Sequence, residues 1–250
     1  MASWQDCDGR LFDRVRKSGI RVPCHISTPF THVAGVIVFN WIRTRLVRGP
    51  TIEAFHLDSA NWAYHGERQE GGPVRIWETP DLDSVSLHFF PVPPNLPRTS
   101  SVEDLFAFFA RQPPDRQLMV EARLCKLASR AALRFIFKVP QNPSGMMYQG
   151  SLLLPYRDFS YVVKLQCFEH GMTGIREAVL YEKRLAKGEG PDSSDSTSLF
   201  AHWNPDGAEF DDFFPAHPLS RLRRLLGHVE RSATLEDGVN ERPGFPLPTN

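Results

Sequence analysis

"SYVVKLQCFEHGMTGIREAVL", Ser160–Leu180, runs a strand-like alternation into a helix-like period through a polar joint. Tyr161, Val163, Leu165 and Cys167 share one face and Val162, Lys164, Gln166 and Phe168 the other, which is the two-residue period of a half-buried antiparallel strand. Beyond the joint the spacing of Ile175, Ala178, Val179 and Leu185 predicts a helix with that stripe facing the sheet. Thr173 is expected to cap it. Glu177 in the first turn, Lys183, Arg184 and Lys187 near the end, and Gly188 beyond follow the charge order that the helix dipole favours.

Three upstream segments alternate in the same way: "QLMVEARLCKL" (Leu118, Val120, Ala122, Leu124), "ALRFIFKV" (Leu133, Phe135, Phe137, Val139) and "MYQGSLLL". Their close spacing suits hairpins and leaves no room for helical crossovers, so the sheet is expected to be mainly antiparallel. Further upstream, "PVRIWET" and "SVSLHFFPV" flank the turn residues Pro80–Asp83 and predict another hairpin. Ser100 with Glu103 predicts a capping box opening a helix through Val102, Leu105, Phe106 and Phe109, ended by "QPPD" at 112–115. "HPLSRLRRLLGHVE" predicts a last helix with Pro218 in its first turn and Leu219, Leu222, Leu226 and Val229 inward. Arg221, Arg223 and Arg224 are expected to form its solvated basic side, and "SATLE" to close the sheet. The class is α+β: a mainly antiparallel sheet covered by helices in a sandwich. Residues 1–47 are expected to form a basic, poorly ordered arm, 48–236 a single domain with a mobile acidic loop at 188–200, and 237–250 a Pro-rich tail.

At 250 residues and 41% hydrophobic content the chain is long and apolar enough to bury a core. Lys plus Arg and Asp plus Glu balance at 29 each, so no net field draws the molecule to nucleic acid or an anionic membrane, although residues 1–50 hold eight bases against three acids. Four cysteines (Cys7, Cys24, Cys125, Cys167) show neither metal-ligand spacing nor a disulfide framework, and a cytoplasmic location fits them best. The longest apolar run, Val33–Ile42, is about half the length a spanning helix needs, so stable membrane insertion is not expected.

The order of hairpin, helix, antiparallel strands, helix, last helix and short strand, with the texture around "MTGIREAVL" and "HPLSRLRRLLGHVERSATL", resembles the α+β sandwich of the photosystem extrinsic protein PsbP, the Ran-binding factor Mog1 and effector-chaperone domains of the DUF1795 type. The resemblance spans about Thr51–Leu235. It implies binding to another protein, with no common catalytic constellation and no family site to transfer; fold alone does not fix function.

Five groups of residues invite a chemical reading. Cys167 and His170, three apart, fall on opposite strand faces and cannot meet as nucleophile and base unless the chain turns at Glu169. Glu169, His170 and Arg176 stand at the polar joint, the expected lining of any pocket between sheet and helix. Phe210, Phe213 and Phe214 lie in the acidic stretch "GAEFDDFFPAHP", where they are expected to anchor a solvated loop on the core, with a contact surface as the second reading. Glu209, Asp211, Asp212 and His217 in that stretch are metal-ligand types without the spacing of a known motif. "NPSGMMYQG" has no phosphate-binding pattern and reads as a hairpin loop. No cofactor, metal or nucleic acid is expected. The favoured reading is a non-enzymatic interaction module (an adaptor, effector chaperone or immunity-like factor), with an enzyme or small-molecule binder as the alternative.

Overall fold

The computed structural model describes residues 49–111, 117–141, 145–187 and 204–248; the expected arm at 1–47, the acidic loop at 188–200 and the Pro-Pro break at 112–115 lie outside them. A 3-10 turn, Ile52–Ala54, leads into β1 (Phe55–His56), followed by β2 (Ala63–Gln69), β3 (Pro73–Glu78), β4 (Ser84–Phe90) and α1 (Val102–Ala110). Four long strands follow: β5 (Leu118–Leu127), β6 (Arg130–Pro140), β7 (Met146–Pro155) and β8 (Ser160–Phe168). The chain ends with α2 (Ile175–Ala186), α3 (Pro218–Ser232), β9 (Thr234–Leu235) and α4 (Asp237–Asn240).

Seven strands pair in the order β2-β3-β4-β8-β7-β6-β5, every neighbour antiparallel, so the four alternating segments form one continuous half of the sheet. The fold is α+β, as the alternation predicts. Each face has its own apolar cluster. On the first, Leu219, Leu222, Leu226 and Val229 of α3 pack on Val85, Leu87, Leu152, Val163, Leu165 and Cys167. Gly150 on β7 allows this approach, since a Cβ there would stand 2.9 Å from Leu222 Cδ1 and from Leu226 Cδ1. On the second face Leu105 and Phe109 of α1 cover Leu133, Phe135, Leu153 and Val162.

The β3–β4 turn forms at the expected residues. Thr79 N donates to Asp83 O at 2.9 Å and Asp83 N to Thr79 Oγ1 at 3.2 Å, holding Leu82 at φ 61°, a region bulky side chains rarely occupy. Arg221 of α3 clamps the turn from outside, donating from Nη2 to Asp83 Oδ1 at 2.9 Å and from Nε to Oδ2 at 3.0 Å.

Five local expectations differ from the structure. The cap of α1 is Ser101, whose Oγ accepts from Asp104 N, one residue later than the Ser100 box. The cap position of α2 is Gly174 at φ 78°, not Thr173, because only a left-handed residue turns the chain sharply enough after the joint. Of the expected stripe, Ile175, Ala178 and Leu185 face solvent and Val179 is half-buried, while Arg176 and Leu180 are the buried positions of α2. β9 leaves the main sheet and pairs with β1 in a two-stranded ribbon. The Pro-rich C-terminal stretch packs back on the domain: Val239 is buried, Phe245 N donates to Pro155 O at 3.1 Å, and Phe245 and Leu247 join the α1 cluster.

Both outer strands are irregular. The β2 ladder shifts register between Tyr64 and Gly66, and the β5 ladder between Met119 and Glu121.

Candidate functional site

β8 ends at Phe168, and the joint residues separate at once. Glu169 is half-buried and spends its carboxylate on the scaffold: Oε2 accepts from Met146 N at 3.0 Å and Oε1 from Gly174 N at 3.1 Å, tying the start of β7 to the start of α2. His170 next to it is exposed. Cys167 is fully buried among the first-face residues. Cys167 and His170 therefore do not face each other as nucleophile and base.

Arg176 has a side chain 0% exposed to solvent. Its Nε donates to Pro205 O at 2.8 Å, its Nη2 to Gly207 O at 2.6 Å, and its Nη1 to Asp211 Oδ1 and Ser220 Oγ, both at 3.0 Å. The guanidinium also lies 5.7 Å from the Phe214 ring centroid. One planar fork thus joins α2, the 205–211 segment and α3, a geometry suited to arginine. Asp211 takes a second arginine, Arg223, at 3.1 Å from Nη1, so the expected metal-ligand type is already occupied by two guanidinium groups and the Ser220 hydroxyl.

The network continues along the sheet. Arg223 Nη2 donates to Asp206 O at 2.6 Å and its Nε to Glu121 Oε2 at 3.2 Å; Glu121 also meets Arg134, which together with Arg123 reaches Glu230 of α3. Arg221 and Arg223 are therefore bound into the interior of the sandwich and are not a solvated basic side. Arg224 alone of the three is exposed, donating to Pro215 O.

Beside Arg176, Lys138 Nζ donates to Glu177 Oε1 at 2.6 Å and lies 3.4 Å from both Asp206 oxygens, while Tyr148 OH donates to Asp206 Oδ1 at 3.4 Å. Burial works against the Lys138 charge, but the bond to Glu177 together with the neighbouring Tyr148 and Asp206 outweighs it and holds the ammonium above its ordinary range. Burial pushes the Tyr148 hydroxyl up, helped by the Asp206 charge. His217 caps α3 by accepting from Leu219 N at Nδ1, and burial with the nearby Arg176 charge lowers its pKa to about 4. Lys138 and Tyr148 stay protonated and His217 stays neutral at physiological pH. The cluster works as a fixed clamp, with none of these three poised to exchange protons near neutrality.

Burial and the neighbouring Asp83 push the Cys167 thiol well above its ordinary range, and burial pushes Cys125 up to about 12. Native protein treated with iodoacetamide at pH 8 is expected to leave Cys167 unlabelled over the hours in which a free thiol reacts fully. Rapid Cys167 labelling seen by peptide mass spectrometry would contradict its place in the core.

The aromatic residues divide. Phe214 packs under Arg176 and Phe210 is half-buried, but Phe213 is 66% exposed, with Lys183 Nζ of α2 4.6 Å from its ring centroid. Met172 (75%), Ile175 (47%) and Leu185 (45%) are exposed beside Tyr181 along α2. Lys183 thus links α2 to the Phe213 tip. Between the same loop and α3 an open recess of about 420 Å³ is lined by Asp211, Asp212, Pro215, Ser220, Arg223 and Arg224.

Of the six residues expected to bind, the structure brings Arg176 and Phe214 into contact, places Glu169 in the scaffold, half-buries Phe210, and leaves His170 and Phe213 exposed. Sequence reasoning missed Lys138, Asp206 and Ser220. A signal for Lys138 existed: with Arg134 and Ile136 it lies on the strand face opposite the Phe135 and Phe137 alternation, where charges need partners. Comparison with protein-family models and with curated proteins finds no match to this chain. No helix among the described residues is long and apolar enough to cross a membrane.

Proposed function

We propose that the chain is a non-enzymatic protein-interaction module (an adaptor, effector chaperone or immunity-like factor) that docks a partner on the outward stripe of α2 and the Phe213 tip. The observation that carries this reading is the inverted helix: Ile175, Tyr181 and Leu185 face outward on a helix held to the domain by Arg176, Leu180 and Glu177, with Met172 exposed just before it. Contiguous exposed apolar surface next to aromatic residues marks interaction sites. The sandwich order supports kinship with the PsbP and Mog1 group, whose members mostly bind proteins, and the scattered cysteines support a cytoplasmic setting. The alternative, an enzyme or binder built on Glu169, His170 and Arg176, loses support because Glu169 and Arg176 are engaged by backbone and side-chain partners.

Affinity purification from the native host is expected to return one stoichiometric partner. Ile175→Glu with Leu185→Glu should weaken that complex by about 2 kcal/mol or more, roughly thirtyfold, while stability changes by about 0.5 kcal/mol or less, as for surface sites. Retention of the partner at unchanged affinity would remove α2 as the docking face.

A further inference from the structure

The second face of the sheet is divided. α1 covers the part that holds Leu133, Phe135, Leu153 and Val162, and a polar patch lies beside it. On that patch, register places Ser86 of β4, Lys164 of β8 and Ser151 of β7 side by side across three adjacent strands. The next row along the strands is Ser84, Gln166 and Gln149, with Gln166 Nε2 donating to Gln149 Oε1 at 3.4 Å. Below Ser86, His88 is buried and its Nε2 lies 2.9 Å from Ser86 Oγ.

A lysine on a solvated sheet face is ordinary; this one is set apart by what surrounds it. Lys164 is half-buried on the middle strand of seven, and among the described residues no hydrogen bond or ion pair is recorded for it. Other half-buried or buried cations are engaged: Arg75, Arg123, Arg134, Lys138, Arg176, Arg221 and Arg223 each meet a carboxylate, and Arg130 donates to the carbonyls of Asn240 and Arg242. Glu78, a carboxylate on the same face, stands two strands away on β3, beside His65 at 3.9 Å. A cation partly removed from water without a counter-charge is costly, and hydroxyls on both sides supply donors that an anion needs.

We propose that Lys164, with Ser86 and Ser151 on either side, is a carboxylate-binding site that accepts an aspartate or glutamate side chain of a protein partner. One cation balances one carboxylate, whereas a phosphate dianion calls for more positive charge than this row holds. A row laid across three neighbouring strands suits a side chain carried on a surface better than a free small molecule, which binds in concave sites. The proposal rests on the protein-interaction reading but lies on another face, so the two fail separately.

The test is a titration of the full chain with a capped hexaglutamate peptide, followed through the His88 ring and the Gln166 side-chain amide by NMR, with acetate and with sodium chloride at matched ionic strength as separate arms. Saturable shifts with the peptide are expected, with affinity falling at least about tenfold in Lys164→Gln, the loss of one hydrogen bond to a charged group. Ser151→Ala should give a smaller fall, and the Ile175→Glu, Leu185→Glu variant none. Absence of saturation, or an unchanged affinity in Lys164→Gln, overturns the site. Acetate binding as tightly as the peptide overturns the protein-partner source. A native partner that is lost on α2 substitution yet held by Lys164→Gln at full affinity overturns this proposal and leaves the α2 reading standing.

Discussion

Replacing Arg176 with alanine is expected to cost about 3–5 kcal/mol of folding stability, the range for removing one partner of a buried ion pair. The side chain is fully enclosed, and its loss would strand the carbonyls of Pro205 and Gly207, which receive Nε and Nη2. Asp211 keeps Arg223 and Ser220, so the carboxylate is not orphaned, and the lower part of the range is the safer expectation. For a domain of this size the melting temperature should fall by on the order of 10 °C. Urea unfolding followed by circular dichroism measures it. A binding residue would behave in the opposite way, losing affinity with stability unchanged, and a stability loss below about 1 kcal/mol would return Arg176 to the list of ligand contacts.

Leu222→Ala should be almost as damaging, at about 2–5 kcal/mol, because α3 is the main cover of the first face. Leu222 is fully buried and its Cδ1 lies over Gly150, so truncation opens a void where helix and strand are closest. Leu185→Ala on α2, with its side chain in solvent, is the control and should leave the urea midpoint almost unmoved. Equal losses at Leu185 and Leu222 would mean that α2 is buried in solution and that the outward stripe is covered.

These two helices also show what a sequence carries and what it withholds. The strands from Leu118 to Phe168 were legible because each side chain's destination follows from its parity, and antiparallel pairing needs only short turns between them. The inward positions of α3 were legible because its apolar stripe is the buried one. The same rule misread α2, whose apolar stripe faces out and whose buried face is anchored by a charge. Periodicity identifies a stripe without saying what lies beneath it. The expected solvated face of Arg221 and Arg223 failed for a related reason: their partners, Asp83, Glu121 and Asp211, come from three distant segments, and no local pattern names such pairs. Of the expected site, the fate of Cys167 could be read from strand parity, whereas Phe213, expected to anchor on the core, is exposed, and the roles of Glu169 and Arg176 depended on backbone groups that only the folded chain brings near.

The irregular ladders at Gly66 and Glu121 bear on how the molecule behaves in a crowd. An open sheet exposes unpaired amides and carbonyls along both outer strands, a template on which further chains can stack without limit. A kink in each border strand breaks the even spacing that such stacking requires. Neighbouring molecules are thereby denied a straight seam to extend, and edge-to-edge growth is opposed at both borders by backbone shape.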